Sequence, residues 1–355
     1  MPTYRAAIVG LTGIAASPPP AAPDPLLGTV VPHSHAGAYA SVPETEVVAV
    51  CDLVPALLDN FRQQWGETFP RAKGYTDYRT MLAEQEIDLL SVVTSDHRHA
   101  QIVVDGVEAG VKGVFCEKPI ATTLADADRI IAACQARNVP LLIDHNRHWD
   151  PEFVEARRMV RSGAIGPLRT IVATMRGTRA MLFRNGTHLV DAVCFFAESD
   201  PLWLCAELDD EHSEYGPRYA GDGGRDPAAD PGASAYVHFQ NGVRAFVNAS
   251  KSKGTPKNFE IDLVGEEGRI RVGENVAEWS QYLPDRRLVV GRLAVPATTW
   301  SDTGAAIREL IGLIEQGGTA SSSGEDGRRT LSILLGIVQS SADGSARIDF
   351  PIADR

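Results

Sequence analysis

Gly10-Leu11-Thr12-Gly13-Ile14-Ala15, directly after the β-rich run Tyr4–Val9, is the stretch of sequence that decides the fold. A turn of small residues at the end of a strand lets backbone amides approach a pyrophosphate closely. Thr12 stands where the usual G-x-G-x-x-G/A pattern has its second glycine. Taken alone, the stretch is therefore also compatible with an ordinary turn from a strand into a loop.

An acidic residue at the end of the next strand-like run favours dinucleotide binding. Asp52 follows Glu46–Cys51, where a carboxylate can accept hydrogen bonds from both hydroxyls of an adenosine ribose. It follows the glycine turn at about twice the usual separation of ~20 residues. The irregular stretch 16–34, rich in Pro and Ala, accounts for the excess and predicts an insertion. Because it leaves the chain at the glycine turn, we expect this insertion to lie over or beside the cofactor cleft. The alternative is that Asp52 is a turn residue after a strand.

Strand-like runs alternate with helical spacing over the first 150 residues. The predicted strands are Tyr4–Val9, Glu46–Cys51, Leu89–Thr94, Gly113–Cys116 and Leu141–Asp144. The predicted helices are His35–Ser41, Pro55–Trp65, Tyr78–Gln85, His99–Gly110 and one from Thr123 to about Arg137. This alternation predicts an α/β fold: a Rossmann domain over 1–150 with a doubly wound parallel sheet and an insertion at about 16–34.

The pattern changes after Pro151, and residues 151–355 predict an α+β domain for substrate binding and oligomerisation, with a large, mostly antiparallel open sheet. Turn signals such as Asn241-Gly242 and Glu267-Gly268 separate its strand-like runs. These runs are Leu168–Met175, Ala233–Phe239, Val243–Ala249, Phe259–Val264, Arg269–Val272 and Ala346–Pro351. The predicted helices are Glu152–Ser162, His188–Ala197, Thr303–Gln316 and Gly324–Ser341, and 209–230 predicts a long surface excursion.

Composition limits the classes of partner. Lys and Arg total 34 and Asp and Glu total 46, a net charge of −12, which repels phosphate backbones, so we expect no nucleic acid partner. Five scattered cysteines without a CxxC pair indicate reduced thiols in a cytoplasm. No apolar run approaches the ~20 residues of a membrane helix. The run Ala6–Ala16 could be a signal-peptide core, but the strand–helix alternation needs it as the first strand.

Glu117-Lys118-Pro119 follows the predicted strand Gly113–Cys116 immediately. Doubly wound sheets bind ligands at the carboxyl ends of their strands. A lysine there lies near the nicotinamide end of a dinucleotide, where its ammonium can hold a substrate hydroxyl and stabilise developing alkoxide charge. An isolated lysine in a turn is more often a surface residue.

Together these residues make the chain resemble the Gfo/Idh/MocA oxidoreductase family over essentially its whole length. The matching pieces are the Gly10–Ala15 turn, Val50–Asp52, Val93–His99, Glu117–Pro119, Asn146–Trp149, Ser162–Pro167, Gly186–Asp191, Gly324–Gly327 and Ser340-Ser341. The resemblance implies a Rossmann domain followed by an α+β domain with an open sheet, consistent with the patterns above.

The resemblance also implies roles for individual residues. Gly10, Thr12, Gly13, Ile14 and Asp52 would hold NAD, with NADP less favoured because the Asp52 carboxylate repels a 2′-phosphate. Thr94, Asp96 and His99 would line the pyrophosphate and nicotinamide side, and Glu117, Lys118 and Asn146 the nicotinamide. Lys118 and His188 would be the catalytic pair, since His readily accepts and returns a hydroxyl proton near neutral pH.

Arg184 departs from the family pattern, which often has an Asp four residues before its catalytic His. If a helix begins at Arg184, residues 184 and 188 share a face. The guanidinium would then lower the pKa of His188 or bind a carboxylate or phosphate of the substrate. Asp191 would supply the orienting carboxylate. The alternative places Arg184 in a loop that faces solvent.

No metal is expected, because the spacings of His97, His99, His145 and His148 match no familiar zinc pattern.

The function that the resemblance implies is NAD(H)-dependent oxidation of a secondary alcohol of a sugar, cyclitol or related polyol, or the reverse reduction. A homodimer or homotetramer through the C-terminal sheet is expected. One alternative is redox-assisted cleavage of a glycoside or sugar derivative with retained NAD. Another is a non-catalytic NAD-sensing regulator, against which the presence of both Lys118 and His188 argues.

Overall fold

A computed structural model describes residues 4–18, 33–177, 182–209, 230–252, 258–295 and 302–352. The chain divides into two compact units. The first consists of Met1–Ala121, Ala125–Trp149 and Ala297–Glu325, and the second of Thr122–Leu124, Asp150–Pro296 and Asp326–Arg355. In the described part of the chain, no helix is both long and apolar enough to cross a membrane.

The first unit is built on a six-stranded parallel sheet with the strand order β3-β2-β1-β4-β5-β6. Its strands are β1 (Tyr4–Val9), β2 (Thr45–Cys51), β3 (Lys73–Tyr75), β4 (Leu89–Val92), β5 (Gly113–Cys116) and β6 (Leu141–Ile143). Its helices are α1 (His35–Ser41), α2 (Pro55–Trp65), α3 (Tyr78–Glu84), α4 (His99–Ala109) and α5 (Leu124–Ala136). This is the strand order of a Rossmann fold and confirms the predicted α/β class.

The strand ends position the candidate site. The central strands β1, β4 and β5 are buried along nearly their whole length, as expected when helices cover both faces of a parallel sheet. Gly10, Asp52 and Glu117 directly follow β1, β2 and β5. All parallel strands end at one edge, so these residues lie on the edge where doubly wound sheets bind ligands.

Helix α8 (Asp302–Gln316) belongs to the first unit, although the sequence-based division placed it with residues 151–355. Its buried face, which includes Ile307 and Leu310, joins the core that contains Tyr39 and Phe115. The helix packs so closely on β5 that a Cβ atom at Gly113 would lie 2.9 Å from Ile314 Cδ1. The predicted domain boundary at residue 150 therefore assigns this helix to the wrong unit, because its apolar face packs in the core of the Rossmann domain.

The second unit contains a nine-stranded sheet with the order β14-β13-β12-β11-β7-β10-β9-β8-β15. Its strands are β7 (Leu168–Gly177), β8 (Pro201–Leu208), β9 (Ala233–Phe239), β10 (Arg244–Lys251), β11 (Asn258–Gly265), β12 (Gly268–Gly273), β13 (Val276–Tyr282), β14 (Leu288–Arg292) and β15 (Ile348–Asp349). Its helices are α6 (Pro151–Arg161), α7 (Gly186–Ala197) and α9 (Gly324–Ala342). Among the described strands of this nine-stranded sheet, only the β7–β10 pair is parallel, which confirms the mostly antiparallel sheet.

Two predicted irregular segments fall largely outside the described residues. The insertion at 16–34 is described only at its ends, and the excursion at 209–230 only at residues 209 and 230.

Candidate active site

The glycine turn after β1 needs glycine at its first position. Gly10 has φ +93°, and a Cβ atom there would lie 2.3 Å from the Val93 carbonyl oxygen. Thr12, Gly13 and Ile14 are exposed, and Gly13 begins a short 3-10 helix. The turn therefore leaves the backbone around Thr12 and Gly13 open to a ligand, although Thr12 replaces the second glycine.

Asp52 ties the end of β2 to this turn. Its Oδ2 atom accepts a hydrogen bond from the Leu11 amide at 2.9 Å, and its Oδ1 atom accepts one from the Val54 amide at 2.9 Å. A carboxylate offers about four acceptor positions, so these two bonds leave capacity for ribose hydroxyls. Asp52 can therefore fasten the turn through its backbone hydrogen bonds and still bind a ribose.

The two described ends of the insertion are joined by one side chain. The Ser34 hydroxyl donates to the Ser17 carbonyl at 2.7 Å and accepts from the Gly37 amide at 3.1 Å, which caps α1. The chain therefore leaves the glycine turn at Ser17 and enters α1 at Ser34 from an adjacent position. The prediction that the intervening segment lies over the cofactor cleft concerns residues outside those described.

The loop after β4 contains three of the predicted cofactor residues. Thr94 is half-buried, whereas Asp96 and His99 are buried. The ring nitrogens of His99 lie 3.0 Å from the Pro119 carbonyl oxygen and 3.2 Å from that of Thr94. His99 thus holds this loop against the segment after β5, and its complete burial favours that positioning role over direct contact with a cofactor.

Glu117 and Lys118 form the centre of the site. Glu117 is 7% exposed, and the Lys118 side chain is 12% exposed. The Lys118 amide donates to Glu117 Oε2 at 3.2 Å, and the Lys118 Nζ atom lies 4.0 Å from the same oxygen. The peptide bond between Lys118 and Pro119 is cis. A largely buried ammonium therefore stands beside a buried carboxylate at the end of β5.

Two residues that the sequence did not single out join Glu117. Nε2 of His35 lies 3.4 Å from Glu117 Oε1 and 3.6 Å from Asp144 Oδ2. His35 is fully buried, and Asp144 is 5% exposed. His35 comes from α1 and Asp144 from the end of β6, so only the three-dimensional fold brings them together. The sequence feature that could have identified Asp144 is its place as an acidic residue at the end of a predicted strand.

The pKa values of the two carboxyl groups, Glu117 and Asp144, are shifted in opposite directions. Burial alone would raise the pKa of Glu117, but the hydrogen bond from His35 and the positive charge of Lys118 lower it to about 2. Burial, followed by the negative charge of Glu117, raises the pKa of Asp144 well above its usual range. Burial and the neighbouring charges therefore favour the charged form of Glu117 and the protonated form of Asp144.

The ligand atoms of His35, Glu117 and Asp144 lie within 4.8 Å of one another, close enough to surround a metal ion. In the part of the chain that the structure describes, this is the one such group, and the histidines at 97, 99, 145 and 148 are not members of it.

Asn146 occupies the position after β6 that the sequence predicts. It is half-buried at the start of a short 3-10 helix, and its Oδ1 atom accepts from Arg147 Nη1 at 2.7 Å. Its place at the carboxyl end of a Rossmann strand is consistent with the predicted contact with a nicotinamide.

In the second unit, His188 lies in the first turn of α7 and is half-buried. The helix begins at Gly186, so the premise that it starts at Arg184 is wrong. The reason lies in Asp230, which is 2% exposed and accepts hydrogen bonds from the amides of Phe183 and Arg184. These bonds hold the chain outside the helix. Arg184 itself is half-buried, not fully exposed in a loop.

Asp191 is three residues after His188 on the same helix and is 1% exposed. Thr330 of α9 lies with its hydroxyl 3.4 Å from Asp191 Oδ1. The carboxylate is therefore anchored between α7 and α9, and its predicted orienting role toward His188 remains a prediction.

Comparisons with known proteins match both units. A model described as "Oxidoreductase family, NAD-binding Rossmann fold" matches residues 27–145, and a Gfo/Idh/MocA C-terminal domain model matches residues 153–271. D-apiose dehydrogenase from Paraburkholderia graminis is 26% identical over 340 residues, 88% of this chain and 85% of that protein. Myo-inositol 2-dehydrogenase from Thermotoga maritima is 23% identical over 317 residues, 87% of this chain and 91% of that protein.

A similar solved structure is that of scyllo-inositol dehydrogenase from Lactobacillus casei with bound NAD(H) and scyllo-inositol. It superposes with a TM-score of 0.72 at 16% identity and covers 98% of this chain and 99% of that chain. At this identity the likeness shows a shared fold.

Proposed function

Because this chain belongs to the Gfo/Idh/MocA family of oxidoreductases, with an NAD-binding Rossmann domain, we propose that it transfers hydride between NAD and a secondary alcohol or ketone of a sugar, cyclitol or related polyol. The observation that carries the proposal is the position of Lys118. Its ammonium is largely buried beside the charged Glu117 at the end of β5, on the sheet edge that also carries the glycine turn and Asp52.

In the proposed cofactor site, the exposed backbone of the Gly10–Ala15 turn binds the pyrophosphate and Asp52 binds the adenosine ribose. Thr94 and Asp96 line the adjoining loop. Glu117, Lys118 and Asn146 follow β5 and β6, where the nicotinamide end of the dinucleotide would lie. NAD is preferred to NADP, because the Asp52 carboxylate repels a 2′-phosphate.

NAD supplies the hydride acceptor or donor, and the side chains of the chain manage the proton. During oxidation, the substrate hydroxyl loses its proton to His188 while hydride leaves the same carbon. Lys118 donates a hydrogen bond to the substrate oxygen and stabilises the negative charge that develops on it. Reduction follows the same path in reverse, with His188 returning the proton.

The class of substrate is proposed from the relatives, since D-apiose and myo-inositol dehydrogenases both act on polyhydroxylated compounds by name. Arg184, at the entrance to α7, would add selectivity by binding a carboxylate or phosphate group of an anionic sugar.

The second unit also offers a surface for self-association. Exposed apolar side chains stand on several of its strands, including Val172 of β7, Phe246 of β10 and Val290 of β14. Apolar exposure of this kind marks interaction surfaces, and we expect a homodimer or homotetramer through this sheet in the cytoplasm. Size-exclusion chromatography with light scattering tests the oligomer, and a strictly monomeric protein contradicts it.

The central experiment follows absorbance at 340 nm with purified protein, NAD or NADH, and a panel of sugars, cyclitols and sugar acids. A net change that requires Lys118 supports the proposed dehydrogenase. Product formation without a net change instead indicates cleavage with retained NAD, and binding without turnover of any compound indicates a regulator. Either of these two results contradicts the proposal.

A further inference from the structure

Three side chains that can ligate a metal converge on one point in the first unit. Nε2 of His35 lies 3.4 Å from Glu117 Oε1 and 3.6 Å from Asp144 Oδ2. One ligand atom of each residue lies within 4.8 Å of those of the other two. With the ~2.0–2.2 Å bonds that zinc forms to nitrogen and oxygen, the ligands of a tetrahedral ion lie about 3.3–3.6 Å apart. The two separations from His35 fall within this range.

The carboxyl group of Asp144 is buried at this point. The residue is 5% exposed, and its Oδ1 atom has no hydrogen-bond partner among the residues that the structure describes. Its Oδ2 atom, 3.6 Å from His35 Nε2, lies beyond the ~3.2 Å of an ordinary N–H···O bond. A buried carboxyl group is unfavourable unless hydrogen bonds or a positive charge compensate for its lost hydration. The surroundings of Asp144 therefore favour a cation at the point that it shares with His35 and Glu117.

The second ring nitrogen of His35 has a partner deeper in the unit. Nδ1 lies 3.0 Å from Ser91 Oγ, which lies 2.8 Å from the hydroxyl oxygen of Tyr39. All three residues are at most 1% exposed. A histidine that binds a metal usually donates its other ring N–H to a neighbouring acceptor, which fixes the ring and its tautomer. Ser91 can accept in this way, and Nε2 then directs its lone pair toward the two carboxyl groups.

The charges around the three residues also suit a divalent ion. Oε1 of Glu117 faces His35, whereas Oε2 accepts from the Lys118 amide at 3.2 Å and lies 4.0 Å from Lys118 Nζ. The negative charge of Asp302, at the start of α8, also acts on Asp144. Three carboxylates and one ammonium leave two negative charges, which a divalent cation balances.

We propose that His35, Glu117 and Asp144 form a binding site for a divalent transition-metal ion, with the geometry of a Zn²⁺ site. The imidazole favours Zn²⁺ over Mg²⁺ and Ca²⁺, which prefer oxygen ligands alone. Three protein ligands leave the fourth position of a tetrahedral shell for water. The bound ion joins α1 to the ends of β5 and β6. The site goes beyond the proposed hydride transfer and does not depend on it.

The expectation that no metal binds rests on the spacing of four other histidines, none of which is a member of this group. The proposed ligands come from three elements that are distant in sequence. Local spacing therefore gives no sign of the site, and only the fold identifies it.

Zinc affinity tests the site directly. Full-length protein without an affinity tag is stripped with a chelator, and Zn²⁺ is added back in a calorimetric titration. We expect about one ion per chain, retained through gel filtration and not displaced by excess Mg²⁺. Asp144→Asn keeps the shape of the side chain and removes its charge. Loss of a group that merely orients a ligand weakens metal binding by about 10–100-fold, so we expect this variant to bind Zn²⁺ at least about 100-fold more weakly.

Cobalt(II) reports the geometry of the site. Co²⁺ can replace Zn²⁺, and it absorbs visible light strongly only in a near-tetrahedral environment. We expect these intense bands in the Co²⁺-loaded wild-type protein and their loss when Zn²⁺ is added. His35→Phe keeps a ring 4.7 Å from that of Phe115 but has no ligand nitrogen, so we expect it to lack the bands. Weak bands of a six-coordinate ion in the wild-type protein would contradict the proposed site.

His97→Phe is the matched control, because it removes an exposed histidine from the loop after β4. We expect this variant to keep the wild-type affinity and spectrum. Circular dichroism verifies that each variant is folded, and Asp144→Asn alone decides the question if His35→Phe does not fold.

The proposal is overturned if the wild-type protein binds no Zn²⁺, or if folded Asp144→Asn binds it as tightly as the wild type. Either result indicates that a proton on His35, and not a metal, lies between the carboxyl groups. A dehydrogenase that binds no zinc contradicts only the metal site. A protein that binds zinc as expected and transfers no hydride contradicts only the proposed function.

Discussion

Asp52→Asn tests how the end of β2 selects the cofactor. Each carboxylate oxygen of Asp52 accepts one backbone bond at 2.9 Å and retains capacity for a ribose hydroxyl. A hydrogen bond to a charged group contributes about 1.5–3 kcal/mol. Because asparagine keeps one acceptor oxygen, the substitution loses roughly one such bond, which weakens NAD binding by roughly 10- to 150-fold.

The assay is a fluorescence or calorimetric titration of the wild-type and variant proteins with NAD and with NADP. The substitution also disturbs the bond to the Leu11 amide, and a distorted turn would weaken both cofactors alike. Removal of the negative charge favours NADP alone, so the ratio of the NADP and NAD dissociation constants is expected to fall at least tenfold. Asp59→Asn, on the exposed face of α2 with its side chain 76% exposed, is the control.

Two results would refute this reasoning. One is a wild-type protein that binds NADP as tightly as NAD. The other is an Asp52→Asn protein in which both affinities stay within twofold of the wild-type values. Either result would leave Asp52 as a turn residue that fastens the glycine loop and makes no contact with ribose.

Three further substitutions probe the turn, the second unit and the proposed base. Gly10→Ala places a Cβ atom 2.3 Å from the Val93 carbonyl oxygen at φ +93°. The free energy of unfolding, measured by denaturant titration, should therefore fall by at least the ~1–3 kcal/mol of backbone strain. An unchanged free energy of unfolding would contradict the close packing. Asp230→Ala leaves the Phe183 and Arg184 amides without this partner and should lower kcat/KM with unaltered NAD affinity, whereas equal kcat/KM would separate this turn from catalysis. His188→Ala should lower kcat by about 10²–10⁴-fold, and a variant with wild-type kcat would exclude His188 as the base.

Strands with a clear local pattern were predictable, and short or half-exposed ones were not. The buried apolar runs of β1 and β5 match their predicted bounds. The three residues of β3 are too few for a pattern and lie at the edge of the sheet. All but the last residue of β13 are half-buried, so this strand lacks the alternation that identifies a sheet with one buried face.

The site residues divide in the same way. Glu117 and Lys118 follow a recognisable strand, so their place at the sheet edge could be predicted from local sequence. His35 and Asp144 meet Glu117 only because α1 and the end of β6 converge on the same edge. The start of α7 was missed because Asp230, distant in sequence, fixes the preceding turn. Such long-range contacts leave no periodic signal along the chain.

The most direct test of hydride transfer uses a polyol substrate with deuterium on the carbon that is oxidised. Wild-type protein is incubated with this substrate and NAD, and the reduced cofactor is analysed by mass spectrometry, with Lys118→Ala as the matched control. We expect NADH that carries the deuterium in the wild-type reaction and a rate lower by about 10²–10⁴-fold in the variant. Product that forms while the cofactor pool gains no deuterated NADH, or labelled NADH formed equally fast without Lys118, would contradict it.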